Sequence, residues 1–401
     1  ELEEVHTGMS DNRFGELNPG QRVLLGPGPS ELDPRVLRAM ATPVVGHLDP
    51  DFLAIMNDTR DLIRSAFSTT NRLTLAMSGT GSAGMETCLV NLLEPGDKAV
   101  VCVAGAFGQR MVDIVERTGA QAVVVQAPWG RVIDPADVEA ALKQGGVKLV
   151  ALVHVETSTG VMQPVEEIAR LARAHDALVV LDAVSSLGGA PVLVDEWQVD
   201  AAYSGSQKCI SAPPGLAPVT INERARAAIA RRRTKVQSWY LDLTMIEHYW
   251  GEARAYHHTA PISNIYALRE ALRIAAAEGW FNRWERHRRL GRALQAGLEA
   301  IGLSLIAEEP YRAPMVTAVR VPDGVDELKV RQQLLADYGL EIAGGLGEFK
   351  GRAWRIGLMG HSCQWKNVVL CLTALSSALR AQGYKASTDA ALAAAEEARS
   401  R

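Results

Sequence analysis

Between residues 73 and 183, short apolar segments alternate with segments of helical periodicity. The apolar segments, among them LTLAM, KAVVCVA, AQAVVVQA and ALVVLDAV, are rich in Val, Leu and Ala. Strands buried on both faces of a parallel sheet need this composition, whereas a half-exposed strand would alternate apolar with polar residues. The alternation therefore predicts an α/β fold, in which helices cover both sides of a mostly parallel sheet.

The pattern changes beyond about residue 260, where two long helices are predicted from ISNIYALREALRIAAAEG and WFNRWERHRRLGRALQAGLEAIG. The strand-like segments MVTAVRVP and RAWRIGLMG follow, with a helix between them. We therefore predict an N-terminal arm over residues 1–20, a large domain over 21–280 and a smaller C-terminal α+β domain over 281–401. The Ala/Glu-rich end, STDAALAAAEEARSR, is expected to form a solvated surface helix.

Composition and charge narrow the functional class. Lys and Arg number 42 against 46 Asp and Glu, for a net charge of −4, and no charged block predicts a nucleic-acid or anionic membrane partner. No apolar run approaches the length of a membrane span, which is about 18 residues. The five cysteines are odd in number and lack a CxxC spacing, so a disulfide framework is not expected. With a polar N-terminus that does not look like a secretory signal, we expect a cytoplasmic protein.

A glycine-rich turn in LAMSGTGSAGMET follows the apolar segment that ends at Met77 and precedes a predicted helix. The first N–H groups of a helix are unpaired, and Gly79 and Gly81 allow close approach of the backbone, so the turn is suited to a phosphate. Such turns also occur without a ligand. The absence of GK[ST] argues against a P-loop, and no acid ends a strand about 20 residues later, as a dinucleotide site requires.

Two charged residues follow apolar segments that we expect to end at the same edge of the sheet. Asp182 ends LVVLD, and Lys208 lies 26 residues later in YSGSQKCISAPPG, where it is expected to end the next strand. Alone, the acid would cap a turn and the lysine would be a surface residue with a buried stem. Together with a phosphate turn, they match what pyridoxal phosphate requires: an acid for the pyridine nitrogen and a lysine for a Schiff base.

Four longer segments carry a resemblance to a known family: LDAVSSLGG, YSGSQKCISAPPG, YHHTAPISNIYALRE and RIGLMG. From LLGPGPSELDPRVLRAM to about residue 380, the chain resembles the class V, fold-type I pyridoxal-phosphate aminotransferases, most of all the alanine–glyoxylate and serine–pyruvate group. The resemblance implies the PLP-transferase fold, a homodimer with shared active sites, and a lysine that carries the substrate proton during transamination.

The resemblance also implies a role for each site residue. Lys208 matches the Schiff-base lysine, Asp182 the acid on the ring nitrogen, and Arg355 the arginine that binds the substrate α-carboxylate in a bidentate manner. The other implied positions are Ser78, Gly79, Thr80, Gly81, Ser82 and Gln207 at the phosphate, Phe107 on the ring face, Ser158 near the phenolic oxygen and the substrate, Gly26 and Gly28 in a loop over the substrate, and Tyr256 and Thr259 at the phosphate of the neighbouring subunit. Phe107 and Ser82 depart from animal relatives, which often have Trp and His there.

Several functions stay open from the sequence. The sequence shows no charged residue that would pair with a charged side chain of the substrate. We therefore expect a small neutral donor such as alanine or serine, with glyoxylate or pyruvate as acceptor. (S)-Ureidoglycine–glyoxylate or serine–glyoxylate transamination is an alternative. A class V lyase such as a cysteine desulfurase fits less well, because EIAGGLGEFKGRAWR contains no cysteine before Arg355, and Cys363 follows it. The adjacent His257 and His258 lack an accompanying acid or cysteine cluster, so no metal site is expected.

Overall fold

A computed structural model describes residues 15–401 of the chain. The strands are β1 (Val23–Leu24), β2 (Leu73–Ser78), β3 (Lys98–Val103), β4 (Gln121–Gln126), β5 (Val147–Val153), β6 (Val155–Glu156), β7 (Val161–Met162), β8 (Leu178–Asp182), β9 (Ala201–Tyr203), β10 (Leu216–Ile221), β11 (Val316–Arg320), β12 (Leu340–Glu341), β13 (Ala343–Gly344) and β14 (Ala353–Gly357). The helices are α1 (Pro34–Met40), α2 (Pro50–Ala66), α3 (Gly81–Leu92), α4 (Ala106–Arg117), α5 (Pro135–Leu142), α6 (Glu166–Ala174), α7 (Glu223–Ala230), α8 (Leu243–Trp250), α9 (Ile262–Glu278), α10 (Trp280–Ala300), α11 (Glu327–Tyr338), α12 (Trp365–Ala381) and α13 (Thr388–Ser400).

The central sheet has the strand order β2-β10-β9-β8-β5-β3-β4 within the described residues. Strand β10 runs antiparallel to both of its neighbours, and the remaining pairs are parallel. All residues of β8, in the middle of the sheet, are buried. The predicted α/β fold with a mostly parallel sheet is confirmed. Because parallel strands end at the same edge of a sheet, the residues that follow β5, β8 and β9 lie together at the carboxyl edge of the central sheet.

Strand β4 departs from the burial expected for AQAVVVQA. It lies at the end of the sheet with β3 as its neighbour, and Val124 is 46% exposed. The covering helices do not extend fully over an edge strand, so an apolar sequence is not enough to bury it. The expectation of a strand buried on both faces is wrong for this element.

A second hydrophobic cluster lies in the C-terminal part of the chain and contains residues of α10, α11, α12 and α13 and of strands β11 and β14 of the small antiparallel sheet β11-β14-β13. It also contains Leu25, which follows β1, and β1 pairs in parallel with β12. The larger cluster extends from Val36 to Leu272, and the smaller one resumes at Leu290. A domain boundary near residue 280 stays a prediction.

The C-terminal helix forms as predicted, but it is more than a solvated surface helix. Ala391 and Ala395 of α13 are fully buried. A Cβ atom at Gly297 of α10 would lie 2.9 Å from the carbonyl oxygen of Ala391. Small residues on both helices thus let their backbones approach closely, and one face of α13 belongs to the smaller core.

The structure tests two further expectations only in part. Over residues 15–401, every helix is too short or too polar to cross a lipid bilayer. The predicted N-terminal arm falls mostly on residues 1–14, which lie outside the described part of the chain.

Candidate active site

Asp182 ends β8 at the carboxyl edge of the central sheet, and only 3% of its surface is exposed. Its Oδ1 accepts the N–H of Val184 at 2.8 Å, and its Oδ2 accepts the hydroxyl of Tyr203 at 2.8 Å. Burial raises the pKa of Asp182 to about 6, although both hydrogen bonds act in the opposite direction. The two hydrogen bonds orient the buried carboxylate, and a cationic partner would stabilise its charged form.

Lys208 lies in the loop between β9 and β10 and not at the end of a strand, so that expectation is wrong. Strand β9 ends at Tyr203, which pairs with Asp182 of β8. The Nζ atom of Lys208 donates a hydrogen bond to the carbonyl of Pro27. Burial, together with the positive charge of Arg355, lowers the pKa of Lys208 to about 8. The amine is therefore largely neutral in mildly alkaline solution, and the neutral nitrogen is the nucleophilic form.

The segment LGPGPS connects the strand that carries the arginine with the loop that carries the lysine. At one end, the Leu25 carbonyl accepts the N–H of Gly357, on β14, at 2.7 Å. At the other end, the Ser30 hydroxyl donates to the Lys208 carbonyl at 2.9 Å. Between them, Gly28 has φ of +104°, and a Cβ there would lie 2.7 Å from Lys208 Nζ. A glycine is therefore required where this segment passes the lysine.

The glycine-rich turn forms where the sequence predicted it, between the end of β2 and the start of α3 at Gly81. Gly79 has φ of +145°, and a Cβ there would lie 2.5 Å from that of Ala83. Thr80 is the N-cap residue, but its side chain makes no capping hydrogen bond. Among the described residues, no side chain caps the start of α3, so its first N–H groups can bind an anion.

Two side chains of this turn have partners that the sequence did not indicate. The Ser78 hydroxyl lies 2.7 Å from Nε2 of His258, whose Nδ1 lies 2.7 Å from Nδ1 of His257. The Arg110 guanidinium donates to the Ser82 hydroxyl at 3.3 Å. The adjacent histidines, to which no ligand-binding role was assigned, thus hold the serine that opens the turn.

Glu156, which sequence reasoning missed, joins two predicted site residues. Its Oε1 accepts both the hydroxyl of Ser158 at 2.6 Å and the N–H of the same residue at 3.1 Å. Its Oε2 accepts the N–H groups of Phe107 at 3.0 Å and Gly108 at 3.3 Å, in the first turn of α4. Burial raises the pKa of Glu156, which is 2% exposed, although these hydrogen bonds act against the shift. The carboxylate therefore holds Phe107 and Ser158 next to each other.

Arg355 lies on β14, the middle strand of the small antiparallel sheet. Its Nε donates to the carbonyl of Gly344 at 2.7 Å, which orients the guanidinium. Burial lowers the pKa of Arg355, and the negative charge of Glu156 partly offsets this. An arginine remains protonated under these conditions. The segment LGPGPS is hydrogen-bonded to β14 at one end and to the Lys208 loop at the other, so the fold brings Arg355 and Lys208 to one site although they are 147 positions apart in the chain.

The remaining predicted residues differ in their exposure. The side-chain oxygen of Gln207 is buried and has no hydrogen-bond partner in the described part of the chain. Tyr256 is 61% exposed and Thr259 is also exposed. The Tyr256 ring lies 5.2 Å from the ring of His47, centroid to centroid. The fold thus leaves both hydroxyl side chains at the surface of this chain.

Two weak sequence signals could have identified the residues that were missed. Tyr203 lies at the end of a short apolar strand, and a buried tyrosine hydroxyl usually needs a partner. Glu156 interrupts the apolar segment before STG, and a carboxylate there needs donors if it is buried. Neither signal identifies the partner, since Tyr203 binds Asp182 from a different strand.

Comparison with known proteins agrees with this geometry. The model of the family Aminotransferase class-V matches residues 23–349. The (S)-ureidoglycine–glyoxylate transaminase of Bacillus subtilis is 43% identical over 389 residues, which cover 92% of this chain and 93% of the relative. The chain belongs to the class-V aminotransferase family. The resemblance inferred from the sequence is therefore confirmed.

Two solved aminotransferase structures superpose on most of the chain. The crystal structure of the ureidoglycine–glyoxylate aminotransferase from Bacillus subtilis gives a TM-score of 0.94 at 43% identity, covering 96% of this chain and 100% of that one. The alanine–glyoxylate aminotransferase from Nostoc sp. gives a TM-score of 0.89 at 47% identity, covering 93% of this chain and 100% of that one. The class-V aminotransferase fold therefore extends over nearly the whole chain.

Proposed function

We propose that this class-V aminotransferase uses pyridoxal phosphate and transfers the amino group of a small neutral donor to glyoxylate or pyruvate. The observation that carries the proposal is the convergence of three charged groups. The segment from Leu25 to Ser30 is hydrogen-bonded both to β14, which carries Arg355, and to the loop of Lys208. That loop follows β9, which pairs with the strand that ends at Asp182. A lysine amine of lowered pKa, a buried acid and an arginine are the groups that such a reaction needs.

The residues present fit this cofactor. The uncapped start of α3, with Gly79, suits the phosphate, and the unpartnered side-chain amide of Gln207 offers a further contact. A flip of this amide exchanges its oxygen and nitrogen, so the side chain can present N–H groups to a phosphate. The buried Asp182 suits the ring nitrogen, and the Phe107 ring offers an apolar face.

When bound, pyridoxal phosphate supplies an aldehyde carbon that takes up amino groups and a ring that withdraws electrons from the substrate Cα. Asp182, held by Val184 and Tyr203, keeps negative charge beside the ring nitrogen so that this nitrogen stays protonated. The neutral amine of Lys208 accepts the proton from the substrate Cα and donates it again in the second half of the reaction. Arg355 binds the α-carboxylate with two parallel N–H groups.

The names of the relatives narrow the substrates. One relative is named for (S)-ureidoglycine and glyoxylate, and the other for alanine and glyoxylate. We infer that glyoxylate is an acceptor of this chain and that alanine or serine is a donor. (S)-Ureidoglycine is the alternative donor, and the TM-score of 0.94 to that relative supports it. These donors share one α-carboxylate and no second charge.

A panel of donors tests the substrate proposal. Alanine, serine, (S)-ureidoglycine and aspartate are each supplied with glyoxylate or pyruvate, and the amino acid product is quantified. We expect at least one neutral donor to exceed aspartate by about tenfold or more in kcat/KM, since a second carboxylate has to be desolvated without a dedicated partner. A preference for aspartate would contradict the proposal. The best donor decides whether alanine or serine, or instead (S)-ureidoglycine, is the substrate.

Replacing Arg355 by Lys tests the carboxylate site. Lysine keeps the positive charge but loses the planar fork, so the substrate KM is expected to rise by about 10- to 100-fold, equivalent to roughly 1.5–3 kcal/mol for a charged hydrogen bond. The activity of the variant is measured with the best donor. Arg352→Lys, at an exposed position before β14, is the matched control and should keep the wild-type KM. An unchanged KM in Arg355→Lys would remove this residue from the substrate site.

The lyase alternative has less support from the structure. A desulfurase needs a reactive thiolate, whereas all five cysteines of the chain are buried. Burial raises the pKa of the Cys363 thiol to about 12, so it is protonated at neutral pH. The proposal therefore stays with transamination.

The proposal also includes a homodimer with shared active sites and a cytoplasmic location. The exposed Tyr256 and Thr259 are available to a second copy of the chain. The five free cysteines suit a reducing compartment.

A further inference from the structure

A network of three charged side chains lies behind the loops that carry the candidate catalytic residues. It consists of Glu278 at the end of α9 and of Arg283 and Arg286 in the first turns of α10. Glu278 Oε2 accepts from Arg283 Nη1 at 2.7 Å and from Arg286 Nη2 at 2.9 Å. Its Oε1 accepts from Arg286 Nε at 2.6 Å. One carboxylate therefore holds both guanidinium groups.

Arg283 connects two of the loops. Its Nε donates to the carbonyl of Gly188 at 3.0 Å, and its Nη2 donates to the carbonyl of Cys209 at 2.6 Å. Gly188 belongs to the loop that follows Asp182, and Cys209 directly follows Lys208. All three nitrogens of Arg283 are thus engaged in bonds whose acceptors lie in different directions.

Arg286 extends the network to the third loop. Its Nη1 donates to the carbonyls of Gly360 at 3.1 Å and Cys363 at 2.6 Å. These residues follow β14, the strand that carries Arg355. The buried His287 strengthens the same link, because its Nε2 accepts the N–H of Gly360 at 3.0 Å.

The three side chains of the network differ in burial, and Arg283 is the most buried. The Arg283 side chain is 4% exposed, while those of Glu278 and Arg286 are 26% and 24% exposed. A guanidinium buried so completely is costly unless its nitrogens have acceptors, and each nitrogen of Arg283 has one. The planar fork of arginine meets this requirement, and an ammonium group cannot reach three separate acceptors in the same geometry.

We propose that the network of Glu278, Arg283 and Arg286 is a positioning device that sets Lys208, Asp182 and Arg355 relative to one another. The proposal rests on the function proposed above for those three residues. The network residues touch the backbone of the loops and not the reacting atoms, so they act through the placement of other groups. A misplacement of about 1 Å at a reacting group can reduce turnover by about 10²-fold.

The test uses Arg283→Met, which keeps much of the volume but removes all three donors. In the cofactor-free protein, an amine-acylating reagent is applied across a range of pH, and modification of Lys208 is quantified by mass spectrometry against the exposed Lys143. We expect the pH at which Lys208 is half-modified to differ between the variant and the wild type. In the cofactor-loaded enzyme, kcat/KM is expected to fall by about 10²-fold.

Control variants separate positioning from loss of stability. Arg289→Met, at an exposed position of the same helix, should match the wild type in both measurements. Arg283→Lys should recover stability but not the wild-type labelling profile. If Arg283→Met does not fold, Glu278→Gln takes its place; it keeps the shape of the side chain but removes the charge that holds both arginines, and an at least tenfold loss in kcat/KM is expected.

Either a wild-type labelling profile of Lys208 or a turnover within about threefold of wild type, in Arg283→Met or its substitute Glu278→Gln, would overturn the proposal. The labelling experiment needs no turnover and therefore decides on positioning by itself. Absence of transaminase activity in the wild-type enzyme would instead count against the proposed function.

Discussion

Lys208→Ala is expected to abolish transamination, with a loss of roughly four orders of magnitude or more in kcat. The amine supplies both a nucleophile and the group that carries the Cα proton, and general acid–base catalysis alone contributes about 10²–10⁴-fold. The Nζ atom of Lys208 lies at the carbonyl of Pro27, so close to Gly28 that a Cβ atom there would lie 2.7 Å from it, and alanine leaves this position without an amine. The cofactor-loaded variant is compared with the wild type by product formation and by absorption in the visible range.

The control for this prediction is Lys143→Ala. Lys143 is 61% exposed and pairs with Glu139 on a surface helix, so its removal should leave both turnover and absorption unchanged. Wild-type turnover by Lys208→Ala, with an unaltered spectral response to donor and acceptor, would refute the role assigned to the lysine.

Asp182→Asn is expected to have the second largest effect, a fall in kcat of about 10²–10³-fold. Asn can still accept the N–H of Val184, but it carries no negative charge to keep the ring nitrogen protonated. Removing one partner of a buried charged pair costs about 2–5 kcal/mol, which is consistent with that loss. Cofactor affinity should fall as well, and it can be measured by titration of the cofactor-free protein.

The same substitution should stabilise the cofactor-free protein at neutral and alkaline pH. Because the folded pKa of Asp182 is raised from 3.8 to about 6, the folded protein binds this proton more tightly than the unfolded chain does. The free energy of unfolding is therefore lowered as the pH rises from about 4 to 6, by up to about 3 kcal/mol for two pH units. Asn does not titrate, so it avoids this loss.

Unfolding in urea at pH 4 and pH 8 checks the effect. We expect Asp182→Asn to be more stable than the wild type at pH 8 and about equally stable at pH 4. Asp195→Asn, a substitution at a carboxylate in an exposed hydrogen-bonded turn, controls for a general effect of removing charge. A variant that is less stable than the wild type at pH 8 would show that the charged form of Asp182 is not strained in the cofactor-free fold. A variant with lower activity and higher stability would show that Asp182 serves the reaction and lowers the stability of the fold.

Sequence reasoning was most successful where the pattern is local. The positions of β2, α3 and the turn between them follow from a short apolar run, three glycines and a helix start, all within some 15 residues. Asp182 lies at the end of β8 as predicted, because the apolar run LVVL ends directly before it. Lys208 was misplaced by a few residues, since Ser and Gly in YSGSQK are compatible with either a strand or a loop.

Residues that act through distant partners were not accessible in this way. Glu156 and Arg283 were missed, although each makes several hydrogen bonds to backbone groups of the candidate site. Nearly every residue carries the same backbone carbonyl and N–H groups, so the sequence does not indicate which of them a given side chain binds. The role of Arg355 came from the family resemblance and not from any pattern around it.

The sequence by itself therefore determined the α/β class, the glycine-rich turn between β2 and α3 and the place of Asp182 at the end of β8, because apolar periodicity and turn composition act over short distances. Only the tertiary structure decided that the segment from Leu25 to Ser30 joins β14 to the Lys208 loop. It also decided that one carboxylate, Glu278, connects the loops behind the site. The contacts of the first segment join residues more than 170 positions apart, and those of Arg283 and Arg286 with the loops span 74 to 95 positions. They form only when packing of the two cores has brought the loops together.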